Sequence, residues 1–176
     1  MPRTPDPVNE PAEYQAHLLG LLGDDDPAVV QLGTPGAIRS MVQQAGDRVR
    51  ERPGPAEWSV LECLGHLLDA EIVYSGRYRW ILAHDEPELI GYDQDDWVTR
   101  LRHNQDDPEQ SLALFEALRG ANLALWERTP VEERPRAGMH RERGPESFEL
   151  SFRIIAGHDR FHLAQAGRAL DAVRSA

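Results

Sequence analysis

Apolar residues recur at helical spacing along most of this chain, and alternating strand patterns are scarce. In the first segment, about 9–22, Tyr14, Leu18, Leu21 and Leu22 lie on one helical face. A stripe of this kind has to be buried against another element, so the number and length of the stripes limit the possible folds. The periodicity predicts an all-α fold that begins with a short helix.

Four longer stripes follow the first segment. The long helices are predicted at about 34–52, 59–83, 107–128 and 147–172. Their start signals are an N-cap before proline at Thr34-Pro35 and capping boxes at Ser59–Glu62 and Asp107–Gln110. The simplest arrangement that buries four apolar stripes is a four-helix bundle.

The acidic and polar segment 84–107 separates the second and third bundle helices. It contains Pro87 and Gly91, with a short helical turn expected near 93–102. A segment of this length can run the length of the bundle, so it permits those two helices to be parallel. Residues 129–146 are rich in proline and glycine and predict a loop. The expected architecture is a single domain over 1–176, a four-helix bundle with a long crossover between its second and third helices.

The charge of the chain excludes several classes of partner. Asp and Glu total 30, Lys and Arg total 19, and the net charge is −11. A field of that sign repels phosphate backbones and anionic membranes, so we expect neither nucleic acid nor a membrane as partner.

The single cysteine, Cys63, and the lack of an apolar leader or spanning run favour a cytoplasmic protein. All basic residues are arginine, which excludes lysine-based catalysis.

Histidines at helical spacing are the sharpest chemical signal. His158 and His162 are four residues apart, so they lie on one face and can chelate one metal ion; two ordinary helix histidines are the alternative. His66, inside the apolar third helix, either completes a three-histidine site or is a hydrogen-bonded structural residue. Asp69 and Gln165, each three residues after a histidine, are candidates to orient these ligands by hydrogen bonds.

Other candidates each have a simpler explanation. Cys63 is either a fourth ligand or nucleophile, or a small buried hydrophobe. Glu62 could act as a general base, but the capping box already accounts for it. Asp159 points about 100° away from the adjacent histidine and favours an ion pair. His140 could reach the mouth of a site from its loop, whereas His103 is expected to be solvated.

Two runs of sequence resemble the DinB superfamily. The first run extends from Glu57 to Glu71 and is followed by Arg77 to Leu82. The second run extends from Ala156 to Gln165. The shared pattern is Trp-Ser before a helical histidine, followed by His-x-x-x-His-x-x-Gln near the C-terminus. The resemblance implies a four-helix bundle with a long crossover. It also implies a divalent metal held by His66, His158 and His162.

The nature of such a site leaves several functions open. Zinc or nickel is favoured, and iron or manganese is possible, because the order of metal affinities allows no sharper choice. The resemblance favours transfer or isomerisation with a bacillithiol-like low-molecular-weight thiol as cofactor. A metal-dependent hydrolase acting on an ester or amide is the alternative. A non-catalytic, stress-related metal-binding bundle is the second alternative. We also expect a small-molecule substrate and a homodimer.

Overall fold

Six α-helices form most of the protein in a computed structural model that describes residues 4–175. The helices are α1 (Pro11–Leu22), α2 (Pro27–Ala45), α3 (Val60–Ala83), α4 (Gln94–Arg100), α5 (Pro108–Arg128) and α6 (Phe148–Ser175). Three short strands are β1 (Glu88–Leu89), β2 (Ala137–His140) and β3 (Gly144–Ser147). Short 3₁₀ turns occupy Gly46–Arg50, His103–Gln105 and Val131–Glu133.

Helices α2, α3, α5 and α6 form the bundle, and α3 runs parallel to α5. Arg119 and Asn122 of α5 bond to Glu71 and Ser75 of α3, so residue numbers rise together along the pair. The segment between these helices contains β1, α4 and a 3₁₀ turn. The predicted bundle with a long crossover between its second and third helices is confirmed, including the short helix near 93–102.

Two apolar clusters fill the interior. One lies where α2, α3, α5 and α6 meet and includes Ile38, Leu61, Leu64, Leu67, Leu112, Phe115 and Leu170. The other joins α1, α3 and α6 and includes Tyr14, Leu18, Tyr74, Tyr78, Ile81, Phe148, Phe152 and Ile155. The three histidines of interest lie on α3 and α6, which both clusters share.

The start of α2 was predicted wrongly. The helix begins at Pro27, not after Thr34, because the Asp26 side chain accepts hydrogen bonds from the first free backbone N–H groups. Pro35 therefore lies inside the helix, where it cannot donate to the carbonyl of Gln31. Arg119 of α5 donates to that carbonyl at 3.0 Å. A bond from another helix thus replaces the one that the proline removes.

A β-hairpin occupies part of the segment predicted as a loop. β2 pairs antiparallel with β3 and parallel with β1, in the order β1-β2-β3. Each strand is only two to four residues long, so no alternating pattern marks it in the sequence. Through β1, the hairpin ties the crossover to the segment that precedes α6.

Helix α1 packs against α6 at a glycine. A Cβ built on Gly157 would lie 2.0 Å from the backbone oxygen of Leu18, so only glycine allows this close approach.

Among residues 4–175, no helix is both long and apolar enough to cross a membrane.

Candidate metal centre

The structure brings His66, His158 and His162 together in the interior. His66 Nε2 lies 2.9 Å from His158 Nε2 and 3.1 Å from His162 Nε2. All three residues are buried, and one nitrogen of each falls within 4.8 Å of the others. His66 comes from α3, while one turn of α6 supplies the other two, as the four-residue spacing predicts.

The three imidazoles of the cluster have lowered pKa values, which leaves them uncharged and able to bind a cation. Burial, reinforced by the neighbouring histidines, holds the pKa of His66 and of His158 well below the usual range. Burial also lowers the pKa of His162 to about 4. All three rings are therefore neutral at pH 7 and can offer lone pairs to a metal.

The spacing of the nitrogens also fits a shared ion. Zinc–nitrogen bonds of about 2.1 Å place adjacent ligand nitrogens roughly 3–3.4 Å apart. The two Nε2–Nε2 distances from His66 fall near that range. Converging lone pairs repel one another unless a proton or a cation lies between them, so the donor set fits a divalent metal.

One of the two expected orienting residues contacts a histidine of the cluster. Gln165 Oε1 lies 2.9 Å from His162 Nδ1 and accepts a hydrogen bond from the Nδ1–H group, which leaves the lone pair of Nε2 free to face the cluster. In the described part of the chain, the buried Nδ1 atoms of His66 and His158 have no hydrogen-bond partner.

Asp69 does not orient His66, contrary to the sequence-based expectation. Its carboxylate lies 2.6 Å from Nε2 of His103, which also contacts Asp106 through Nδ1 at 2.8 Å. His103 is therefore buried between two carboxylates, where solvation was predicted. A Cβ on Gly65 would lie 2.5 Å from the His103 ring, so this glycine makes room for the imidazole.

Aromatic side chains enclose two sides of the cluster. The indole of Trp58 stacks on His162, with ring centroids 5.8 Å apart and planes 14° from parallel. The same indole lies 5.1 Å from the His66 ring. Tyr92 from the crossover lies 6.5 Å from His66 on another side. These rings limit the contact of the imidazoles with bulk water.

The other sequence candidates have structural partners. Cys63 is buried outside the cluster, and burial raises the pKa of its thiol to about 12, so it is not a ready nucleophile. Glu62 forms the predicted capping box with Ser59 and also pairs with Arg52. Asp159 pairs with Arg119.

A buried ionic network lies beside the cluster. Arg119 of α5 binds Glu71 of α3 through Nε at 2.9 Å and Asp159 of α6 through Nη2 at 3.1 Å. Thr34 of α2 donates to the same Asp159 at 2.8 Å. The network connects all four bundle helices next to His158, so it fixes the helix from which two of the three histidines project.

A cavity of about 70 Å³ opens beside His158. It is lined by residues of α1, α3, the crossover and the hairpin, among them Tyr14, Tyr74, Arg77, Tyr92, His140 and Arg143. His140, which the sequence placed within possible reach of a site mouth, lines this cavity. Arg77 lies eleven residues after His66, close to the same helical face, so its spacing in the sequence could have identified it.

Comparisons with known proteins agree with this architecture. A Bacillus subtilis protein, YfiT, described as a probable metal-dependent hydrolase with an unusual four-helix bundle topology, has a similar structure. Its TM-score is 0.75 at 18% identity, covering 99% of this chain and 93% of that one. In sequence, YfiT is 25% identical over 74% of each chain. A candidate metal-dependent hydrolase of Oceanobacillus iheyensis is 28% identical over 61% of this chain and 62% of its own length.

The sequence profile of one family covers most of the chain. It matches residues 38–166, which include the three histidines, the crossover and the hairpin. The chain therefore belongs to the DinB superfamily.

Proposed function

We propose that this protein is a metal-dependent enzyme that transfers a low-molecular-weight thiol to a small electrophile. The convergence of three neutral imidazoles beside a cavity carries the proposal. His66, His158 and His162 would hold the divalent ion, which lowers the pKa of a thiol or water when bound. Gln165 keeps the ring proton of His162 on Nδ1, and Trp58 shields the cluster.

The choice of a thiol rests on the engagement of the buried carboxylates around the cluster with basic side chains. In the part of the chain that the structure describes, the group that could hold a metal ion contains histidines alone. The carboxylates of Asp159, Glu71 and Asp69 are all engaged with Arg119 or His103. Water attack usually relies on a carboxylate as general base, as in the His-Glu-x-x-His enzymes. A thiol ionises more readily and needs less assistance.

The reaction would form a sulfur–carbon bond. The thiol sulfur attacks the electrophilic carbon, the leaving group departs with the bonding electron pair, and the thiol proton passes to solvent. Tyr92 and His140, which line the cavity, are placed to contact the electrophile. Burial and the charges of Arg143 and Arg77 lower the pKa of His140 to about 4, so this ring is neutral at pH 7.

Hydrolysis of an ester or amide is the second candidate, favoured by the descriptions of the relatives. A non-catalytic metal-binding bundle remains a further alternative.

Zinc or nickel remains the favoured metal, with iron and manganese as alternatives. The homodimer and the cytoplasmic location also remain predictions.

Parallel assays of the zinc- and nickel-loaded protein test the proposal. Bacillithiol with an alkyl halide measures thiol transfer, and p-nitrophenyl acetate measures hydrolysis. We expect metal-dependent thiol transfer that His158→Ala lowers by about 100-fold or more, while Arg160→Ala leaves it unchanged. Arg160 faces α1, where it donates to the Leu21 carbonyl. Metal-dependent ester hydrolysis without thiol transfer would establish the second candidate instead.

A further inference from the structure

The cavity beside His158 has more buried positive than negative charge in its wall. Arg77 is 2% exposed, and the Arg143 side chain is 16% exposed. Both face the buried carboxylate of Glu146, at 3.8 Å from Arg77 Nη1 and 3.1 Å from Arg143 Nε. Glu142 also lines the cavity but is exposed to solvent. Two guanidinium groups thus share one buried carboxylate.

Two residues that line the same cavity each carry a buried hydrogen-bond donor without a partner. The hydroxyl of Tyr14 and Nε of Arg77 are buried, and neither is hydrogen-bonded within residues 4–175. Both residues line the cavity. Buried donors without partners are costly, so their clustering at one cavity points to a ligand that accepts their hydrogen bonds.

We propose that this cavity binds the carboxylate group of a small anionic substrate. A carboxylate adds negative charge beside the two guanidinium groups and offers acceptor oxygens to the Tyr14 hydroxyl and to the arginines. The cavity volume of about 70 Å³ suits a group of that size.

The cavity adjoins the histidine cluster, so a bound carboxylate would position the rest of the substrate near that cluster. His158 belongs both to the metal-ligating cluster and to the cavity wall. A substrate held by its carboxylate at Arg77, Arg143 and Tyr14 therefore places its adjacent carbon atoms toward the cluster. The proposed anion site depends only on the cavity residues, whereas its role in selecting the substrate of the enzyme rests on the proposed function.

Titration of the metal-free protein with propionate, followed by NMR, tests the subsite, with propionamide as the neutral probe of matching shape. We expect propionate to shift signals from cavity residues in a saturable manner, and propionamide to bind at least about tenfold more weakly. Arg143→Gln should weaken propionate binding by about tenfold or more. Tyr14→Phe, which removes only an unpartnered hydroxyl, should weaken it by about threefold without loss of stability.

Arg141→Gln is the matched control for Arg143→Gln. Arg141 lies in the same hairpin, but its side chain is 81% exposed and faces Glu88. Equal affinity for propionate and propionamide would overturn the proposal. So would equal effects of Arg143→Gln and Arg141→Gln, or unchanged binding in Tyr14→Phe.

The metal-free titration separates this proposal from the proposed function. Propionate binding in a protein that shows no metal-dependent thiol transfer would uphold the anion site and reject the proposed thiol transfer. Thiol transfer in a protein that does not bind propionate would reject the anion site alone.

Discussion

His103 shows how one side chain can anchor a long connection. Its ring bridges Asp69 on α3 and Asp106 in the crossover, and Gly65 leaves the space that the ring fills. Burial tends to lower the pKa of this histidine. Its hydrogen bonds to the two aspartates and their charges outweigh that effect and raise it. The imidazolium form is therefore bound more tightly in the folded protein than in the unfolded chain.

The stability contributed by His103 should therefore depend on pH. A raised pKa in the folded state gives a contribution that is complete below the unfolded pKa of about 6.5. It is lost as the pH rises through the folded value. We expect His103→Gln to lower the free energy of unfolding by about 1–2 kcal/mol more at pH 6 than at pH 9. Urea unfolding at both pH values measures the difference.

His84→Gln provides the control for this experiment, because His84 is exposed at the end of α3. An equal loss of stability in His103→Gln at the two pH values would show that the ring contributes by packing alone.

At the residue scale, local spacing identified the contacts made within one helix. Gln165 reaches His162 from one turn away, as the sequence predicts. Asp69 is equally close to His66 in sequence, yet its carboxylate binds His103, which is 34 residues distant. The path of the crossover decides that choice, and helical periodicity carries no information about it.

At the element scale, N-capping patterns in the sequence located the first residues of most helices, but one such pattern lies inside a helix. Ser59 and Asp107 cap α3 and α5 as predicted. The Thr34-Pro35 pair has the same form as a true start, yet it lies inside α2. Arg119 compensates for the missing backbone bond, and this contact spans 88 residues. A sequence pattern cannot show whether a distant side chain makes such a proline tolerable.

The packing of α1 on α6 should be unusually sensitive to a single methyl group. We expect Gly157→Ala to destabilise the fold by about 1–3 kcal/mol, because its Cβ would clash with the Leu18 backbone. Gly120→Ala is the matched control on α5, where a Cβ has no neighbour within 4 Å. Better helix propensity should stabilise that variant by about 0.5–1 kcal/mol.

Thermal or urea unfolding of both glycine variants measures these opposite effects. Equal stability changes in Gly157→Ala and Gly120→Ala would contradict the close approach of α1 to α6.

At the scale of the whole molecule, the bundle supplies the candidate ligands and the connections supply the cavity. The histidines project from α3 and α6, which helical periodicity located well. Tyr92 comes from the crossover and Arg143 from the hairpin, which carry weak patterns or none. The clustering of the three candidate ligands was therefore predictable from the sequence, whereas most of the cavity wall was not. Its residues meet only through long-range topology.

We propose that His66, His158 and His162 together hold one divalent metal ion. Elemental analysis of the untagged protein, after loading with zinc or nickel and removal of excess metal, tests it most directly. We predict about one ion per chain in the wild type and in Arg160→Ala, and none in His158→Ala or in the His66→Ala/His162→Ala double variant. Equal metal content in all four proteins, or none in the wild type, would contradict the claim.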